Sequence, residues 1–389
     1  MTKSFESLGL DDEICAALRE RGIETAFPIQ SMTIPDILAG RDVCGKARTG
    51  SGKTLAFGLP IVQMLERAKP GRPTALALVP TRELATQVRD ELTAAAHAKG
   101  VSIGAIYGGD PIEKQIKALR SGVDFAVCTP GRAIDLIERG DLSVADVTKV
   151  VIDEADRMAD MGFLPQVEWI LRNVEGRHQT LLFSATLDGV VDSLVRRYQH
   201  DPARHEVESK GVSIESMTHV FLQVHEMDKA KVAASLIKGA DRTIVFTATK
   251  HGADRLAKKL AGEGVDARAI HGDLRQNMRE RSLSDFAKGK VQALVATDVA
   301  ARGIHVDDVD VVVHYDPPQD HKTYVHRSGR TARAGESGVV VSLLLYNQEL
   351  EAKHLQKRLG LDIAPIEVFS NDDRLADPGR FADPADQGS

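Results

Sequence analysis

Short, almost uninterrupted apolar runs alternate along the chain with longer stretches of helical period. Runs rich in Val, Ile, Leu and Ala are typical of strands buried on both faces of a parallel sheet. The first series lies at 42–46, 75–79, 125–128, 150–152 and 180–183. The second series lies at 219–223, 243–246, 293–296, 311–314 and 339–343. The pattern predicts an α/β fold with two tandem domains, each a mostly parallel sheet flanked by helices.

Polar residues around 206–213 separate the two series and predict a linker. The expected boundaries are 1–208 for an N-terminal domain, 209–216 for the linker and 217–369 for a C-terminal domain. Residues 12–21 and 29–38 are expected to form helices ahead of the first strand. The last twenty residues, 370–389, carry five aspartates and two prolines, which predicts a disordered or loosely attached tail.

Composition narrows the class of protein. Of the 389 residues, 42% are hydrophobic and 27% are charged, as in soluble globular proteins with two or three domains. The net charge of −6 means that a polyanion must be held in a local groove. One Trp, five Tyr and eleven Phe residues are too few for rows of base-stacking rings. Three widely spaced cysteines, and no apolar leader or membrane-spanning run, predict a cytoplasmic protein without a membrane partner.

A glycine-rich segment at 47–54, Ala-Arg-Thr-Gly-Ser-Gly-Lys-Thr, carries the first candidate chemistry. It lies between a predicted strand and an apolar stretch suited to a buried helix. Such a unit aims backbone N–H groups and a helix N-terminus at one point, where phosphates bind. We expect Lys53 to reach the β- and γ-phosphates of a nucleotide and Thr54 to offer its hydroxyl to Mg²⁺. The other expected contacts are Arg48, Thr49, Gly50, Ser51 and Gly52.

An acidic tetrapeptide, Asp153-Glu154-Ala155-Asp156, directly follows the predicted strand at 150–152. Nucleotide hydrolysis needs one carboxylate to hold the metal ion and another to orient or deprotonate the attacking water. Asp153 is placed for the metal and Glu154 for the water. Because chemistry in parallel sheets lies at the carboxyl ends of the strands, both belong near the glycine-rich loop.

These two motifs and Ser184-Ala185-Thr186, in this order and spacing, resemble those of the DEAD-box family of ATP-dependent RNA helicases. The resemblance extends over about residues 5–369. It implies two RecA-like domains, an N-terminal ATP-binding domain and a C-terminal helicase domain, with ATP and RNA bound across the cleft between them. It also implies Mg²⁺ at the phosphates and a core that acts as a monomer.

The resemblance assigns the adenine contacts as well. Gln30 matches the glutamine that reads adenine, since its amide offers the donor and acceptor that pair with the N6 and N7 edge. Phe5 lies where the family has an isolated aromatic residue. The region also departs from the family, because Ile23 replaces an aromatic residue and Ala26-Phe27 replace Pro-Thr. Ile23 can pack on adenine but cannot stack as a ring does.

The implied RNA contacts read the phosphate backbone, so no sequence preference is expected for a single strand or short duplex. In the N-terminal domain they are Pro80, Thr81, Arg82, Gly108, Gly109, Thr129, Pro130, Gly131 and Arg132. In the C-terminal domain they are Gly272, Gln276, Arg279 and Thr297. The family's contacts include 2′-hydroxyl groups, which favours RNA over DNA.

The remaining implied positions connect the nucleotide to closure of the two domains. Arg330 and Arg333 resemble arginine fingers that stabilise charge on the γ-phosphoryl group. Gly303 and His305 lie at the expected ribose contact, where His305 replaces the usual aspartate. The residues expected to couple the domains are Asp156, Ser184, Thr186, Asp298, Arg302, His326 and Arg327.

The implied activity is RNA-stimulated ATP hydrolysis that locally unwinds RNA duplexes or remodels RNA–protein complexes. The expected catalytic residues are Lys53, Asp153, Glu154, Arg330 and Arg333. Two alternatives stay open. The protein could be an ATP-gated RNA clamp whose unwinding is incidental, or it could translocate on DNA. The sequence identifies neither the RNA nor a protein partner.

Overall fold

The computed structural model describes residues 3–47, 50–187, 189–207, 217–274, 276–301, 309–331 and 338–382. The chain divides into two compact units, Met1–Ser209 and Lys210–Ser389. In its described residues, each unit contains a seven-stranded sheet. All pairings between the named strands are parallel, as the apolar runs predict. The predicted linker at 209–216 lies outside the described residues.

The first sheet has the strand order β3-β4-β2-β5-β6-β1-β7. Its strands are β1 (Val43–Lys46), β2 (Ala75–Leu78), β3 (Ile103–Ile106), β4 (Phe125–Cys128), β5 (Lys149–Asp153), β6 (Gln179–Ser184) and β7 (Ala203–Glu206). The helices are α1 (Asp12–Arg19), α2 (Pro28–Leu38), α3 (Lys53–Met64), α4 (Arg82–Ala98), α5 (Ile112–Arg120), α6 (Pro130–Glu138), α7 (Ala155–Asp160), α8 (Leu164–Asn173) and α9 (Gly189–Tyr198).

The second sheet has the strand order β10-β11-β9-β12-β13-β8-β14. Its strands are β8 (Met217–Gln223), β9 (Thr243–Phe246), β10 (Ala267–Ile270), β11 (Ala293–Ala296), β12 (Val311–His314), β13 (Gly338–Leu344) and β14 (Ile366–Glu367). The helices are α10 (Lys229–Lys238), α11 (Lys250–Gly262), α12 (Gln276–Ala287), α13 (Asp298–Ala301), α14 (His321–Ser328) and α15 (Glu349–Leu359).

Alternate residues of the central strands enter two separate apolar clusters in each unit. In β2, Ala75 and Ala77 belong to one cluster and Leu76 and Leu78 to the other. Burial on both faces explains why these strands are apolar throughout, because neither face meets water. No helix among the described residues is both long enough and apolar enough to cross a membrane.

The segment after α15 is packed against the second unit as far as Ala382, so the predicted disordered tail is wrong for residues 370–382. Two short 3₁₀ helices, Asp373–Ala376 and Pro378–Ala382, bury Leu375 and Phe381 in the core. The N–H and hydroxyl of Ser370 both donate to the Asp228 carboxylate, at 2.7 and 2.8 Å. Two buried apolar side chains anchor an otherwise acidic segment. Residues 383–389 lie outside the described residues.

Gly239, at the end of α10, packs directly against the backbone of this C-terminal segment. A Cβ at Gly239 would lie 2.1 Å from the carbonyl oxygen of Ala376. We therefore expect Gly239→Ala to displace the segment and to lower the free energy of unfolding by about 1–3 kcal/mol in urea denaturation. Gly262→Ala in α11 is the control, since a Cβ there meets nothing within 4 Å and should be neutral or slightly stabilising. Equal unfolding midpoints for the two variants would contradict this contact.

Candidate functional site

The predicted phosphate loop and acidic residues lie together at the carboxyl edge of the first sheet. The loop follows β1, Asp153 ends β5 and Ser184 ends β6, and these strands are neighbours in the order β5-β6-β1. Register places Lys46 opposite Ser184. The Ala47 N–H then donates to the Ser184 carbonyl oxygen at 3.0 Å. The loop therefore leaves the sheet beside the acidic segment.

Lys53 and Thr54 begin helix α3, and both are buried. Gly52 precedes them with φ of 82°, a conformation that favours glycine. The Lys53 ammonium donates to the Ala47 carbonyl oxygen at 2.9 Å, so the side chain reaches back to the start of the loop. The first N–H groups of α3 have no partner within their own helix and can bind an anion there. Arg48 and Thr49 lie outside the described residues, whereas Gly50 and Ser51 lie within them.

Gln30 lies beside this loop with its amide fixed by two backbone groups. Its Oε1 accepts from the Phe27 N–H at 2.8 Å, and its Nε2 donates to the Gly52 carbonyl oxygen at 3.0 Å. The two partners determine which end of the amide is oxygen and which is nitrogen. An amide has two N–H donors and two acceptor lone pairs, so these bonds leave capacity for one further bond of each kind.

The two adjacent carboxylates of the acidic segment differ in their surroundings. Asp153 is only 2% exposed, and burial raises the pKa of its carboxyl to about 7, although the Lys53 ammonium opposes that shift. Its Oδ1 accepts from the Glu154 N–H at 2.9 Å. Glu154 has φ of 51° and ψ of 50°, a left-handed conformation that is strained for a side chain of this kind. Its carboxylate binds the Arg157 guanidinium. Arg157 was not among the predicted site residues, although opposite charges three residues apart meet on a helix.

Reciprocal hydrogen bonds tie the acidic segment to the end of β6. The Asp156 N–H donates to the Ser184 hydroxyl oxygen at 3.1 Å, and the Ala185 N–H donates to the Asp156 carboxylate at 3.2 Å. Ser184 is fully buried and Thr186 is exposed. The structure thus brings Asp156 and Ser184 together within one unit.

The predicted RNA contacts of this unit follow β2, β3 and β4, which form the other half of the same edge. They are Pro80, Thr81, Arg82, Gly108, Gly109, Thr129, Pro130, Gly131 and Arg132. Arg82 lies against Gly109, where a Cβ would be 2.8 Å from its Nη1. Both terminal nitrogens of Arg132 donate to the Asp110 carbonyl oxygen at 3.3 Å. Asp110 was not among the predicted site residues, because its contact is a backbone carbonyl oxygen that any residue could supply.

The second unit places its predicted RNA residues beyond β10 and β11, which are neighbours. Gly272 follows β10 and is exposed, whereas Thr297 follows β11 and is buried. Arg279 is also buried, and its guanidinium makes long bonds of 3.5 Å to the carbonyl oxygens of His271 and Ala300. Gln276 begins α12, but its side chain lies outside the described part of the chain.

Arg327 makes its described hydrogen bonds within the second unit. Two bonds of 2.6 and 2.8 Å join its guanidinium to the Asp298 carboxylate, and one of 2.7 Å joins it to the Asp316 carbonyl oxygen. These bonds hold α14 on α13, and the expected role of Arg327 in coupling the two domains stays a prediction. His326, the next residue back, is exposed.

Two family models match this chain over most of its length. The DEAD/DEAH box helicase model matches residues 27–194, and the helicase conserved C-terminal domain model matches residues 228–335. The DEAD-box ATP-dependent RNA helicase CshA of Geobacillus kaustophilus is 42% identical, covering 97% of this chain and 81% of its own length. The chain belongs to the DEAD-box family. The ATP-dependent RNA helicase CshA of Listeria monocytogenes is also 42% identical, over 98% of this chain and 74% of its own length.

Solved structures of DEAD-box proteins share the fold. S. cerevisiae Dbp5 bound to RNA and ADP BeF3 has a TM-score of 0.82 and 30% identity, covering 98% of this chain and 99% of that chain. A DEAD box protein of the hyperthermophile Methanococcus jannaschii has a TM-score of 0.52 and 35% identity, covering 95% and 100%. The two seven-stranded units are therefore the two RecA-like domains of a DEAD-box helicase core, as predicted.

One predicted nucleotide contact of this DEAD-box chain needs correction. Phe5 is 2% exposed and packs in the same apolar cluster as residues of α1 and α2. A ring buried in this way is not available to touch a nucleotide, so Phe5 contributes to packing. Six predicted site residues lie outside the described residues, namely Arg48, Thr49, Arg302, Gly303, His305 and Arg333, and their roles stay predictions.

Proposed function

We propose that this DEAD-box protein uses ATP hydrolysis to unwind short RNA duplexes or to remodel RNA–protein complexes. The observation that carries this proposal is the division of one sheet edge into two halves. In the first unit, the phosphate loop follows β1 and the acidic residues Asp153 and Glu154 lie at the end of β5, whereas the residues predicted to bind RNA follow β3, β4 and β2. Because β2 and β5 pair directly, the two halves adjoin on one rigid sheet.

In the proposed nucleotide site, Lys53 and the start of α3 bind the β- and γ-phosphates. The Gln30 amide still has one N–H donor and one acceptor lone pair, and these form hydrogen bonds to the edge of adenine. The donor chemistry of Thr54 and Asp153 fits Mg²⁺, a hard cation that prefers oxygen ligands. Burial disfavours the charged form of Asp153 here, and a nearby cation restores it. Bound Mg²⁺ neutralises charge on the phosphate oxygens.

The proposed chemistry divides between the two units. Glu154 orients the attacking water and accepts its proton, while the Arg157 guanidinium is paired with the same carboxylate. Arg330 and Arg333 of the second unit stabilise the charge that develops on the transferring phosphoryl group. Because each unit carries only part of these groups, hydrolysis requires both, and closure becomes the controlling step.

The proposed RNA site reads the phosphate backbone. Arg82 begins helix α4 and Arg132 lies in the first turn of α6, the helices that follow β2 and β4, where guanidinium groups and helix N-termini suit phosphate oxygens. We infer binding of single-stranded RNA or short duplexes without sequence preference. We also place the protein in the cytoplasm, a proposal supported by three buried, unpaired cysteines, Cys15, Cys44 and Cys128.

The test compares steady-state ATP hydrolysis with single-stranded RNA and with DNA of the same sequence. We expect RNA to raise kcat at least about tenfold more than DNA, because contacts to 2′-hydroxyl groups distinguish the sugars. Lys53→Ala is the control and should abolish both rates. Displacement of a short labelled RNA strand should require ATP, and its rate should exceed the rate at which the protein leaves single-stranded RNA. Equal stimulation by DNA, or long-lived RNA binding without displacement, would contradict the proposal.

A further inference from the structure

An exposed aromatic ring lies at the corner of the candidate nucleotide site. Phe27 is the residue just before α2 and is 53% exposed, although phenylalanine is usually buried in folded proteins. A Cβ at Gly52 would lie 2.8 Å from Phe27 Cδ2 and 2.4 Å from Gln30 Nε2. The ring, the Gln30 amide and the phosphate loop therefore meet at one point.

The backbone of Phe27 is fixed on both sides. The Phe27 N–H is bonded to Gln30 Oε1 at 2.8 Å. Pro28 follows and restricts Phe27 to extended conformations, and the observed φ and ψ are −67° and 160°. The backbone at this position is thus already ordered, so contact with a ligand has only the two side-chain torsions of Phe27 left to restrict.

The other apolar residues expected near adenine do not have a solvent-accessible aromatic face. Phe5 is buried in the core. Ile23 is partly buried against the same core and has no aromatic face. Among the described residues of this corner, Phe27 thus has the aromatic face that is accessible to a flat ligand.

We propose that Phe27 stacks on the base of bound ATP while Gln30 bonds to the edge of the same base. This inference rests on the proposed ATP site and adds the contact that Ile23 cannot make. Every base has a π-face, so stacking on Phe27 raises the affinity for any base. Selectivity for adenine over guanine comes from the hydrogen bonds of Gln30. The two residues therefore have separable effects.

The test measures equilibrium binding of ATP, of GTP and of inorganic tripolyphosphate, a probe without a base, to the full chain. Phe27→Leu should weaken ATP binding about 5-fold or more, as expected for loss of one base–aromatic stack. The ratio of ATP to GTP affinity and the affinity for tripolyphosphate should stay within about 2-fold. Phe369→Leu is the matched control, because Phe369 is 56% exposed in the second unit and should leave all three affinities unchanged.

Tryptophan fluorescence can report contact between the nucleotide and the side chain at position 27. The chain has one tryptophan, Trp169. In a Trp169→Phe background, Phe27→Trp places the indole at the proposed stack. ATP should quench its fluorescence, and tripolyphosphate should not.

Two results separate this inference from the proposed function. A wild-type protein that binds ATP, with no loss of affinity in Phe27→Leu and no quenching by ATP, would overturn the stacking role alone. A wild-type protein that binds neither ATP nor tripolyphosphate would overturn the proposed function and the stacking role together.

Discussion

Arg330→Ala is expected to lower the RNA-stimulated turnover of ATP by about a thousandfold or more, the range for loss of an arginine finger. The affinity for ATP without RNA should change less than about 2-fold, because Arg330 belongs to the second unit and the phosphate loop to the first. The measurements are single-turnover hydrolysis with saturating RNA and equilibrium binding of ATP alone.

Arg330 lies two residues after α14, and that helix is held to α13 by the paired bonds between Arg327 and Asp298. Removing the Arg330 side chain leaves this pair intact, so the fold of the second unit should be retained. Arg358→Ala is the matched control, since Arg358 is exposed in the last turn of α15. A large fall in ATP affinity with normal turnover of the bound complex would instead make Arg330 a ground-state contact.

Glu154→Gln should bind ATP and RNA normally but hydrolyse ATP about 10²- to 10⁴-fold more slowly, the usual contribution of a general base. The amide keeps the size and the hydrogen-bonding capacity of the side chain but cannot accept a proton from water. The measurement is single-turnover hydrolysis with saturating ATP and RNA. Turnover within a few-fold of wild type would remove Glu154 from its proposed role.

The ion pair between Glu154 and Arg157 supplies the control for this result. Glu154→Gln both removes the base and weakens the pair, whereas Arg157→Gln removes the pair and keeps the base. We expect Arg157→Gln to retain turnover within about tenfold of wild type. If both variants lose turnover equally, the defect comes from the broken pair rather than from the missing base.

The strands that the sequence predicted and those it missed differ in one physical property. The central strands were predicted because burial on both faces demands apolar residues throughout. The missed strands, β3, β7, β10 and β14, are the four edges of the two sheets. Each has partly exposed positions, as in the Ala-Arg-His-Glu of β7. A half-exposed strand of four residues or fewer has too little apolar patterning to stand out from a loop.

The sequence indicates which segments of the chain belong to the candidate site, but it does not indicate which side chains pair with each other there. The phosphate loop and the acidic segment have spacings that follow from phosphate chemistry. The partner of Arg327 does not, because several carboxylates in the chain could have met it and only the fold selects Asp298. Likewise, spacing alone could not show that Phe5 is buried while Phe27 is exposed.

The strand order of the first sheet also bears on how the protein is made. Strand β1 lies between β6 and β7, with Val43 opposite both Leu181 and Ala203. The second of these partners is synthesised about 160 residues later than β1, which takes roughly 8–30 s at ordinary rates of translation. For most of that interval, until β6 has been made, the strand that precedes the phosphate loop has neither of its sheet partners on the growing polypeptide. We therefore expect the nascent chain to complete its nucleotide site late, once β6 and β7 have emerged to enclose β1 in the sheet.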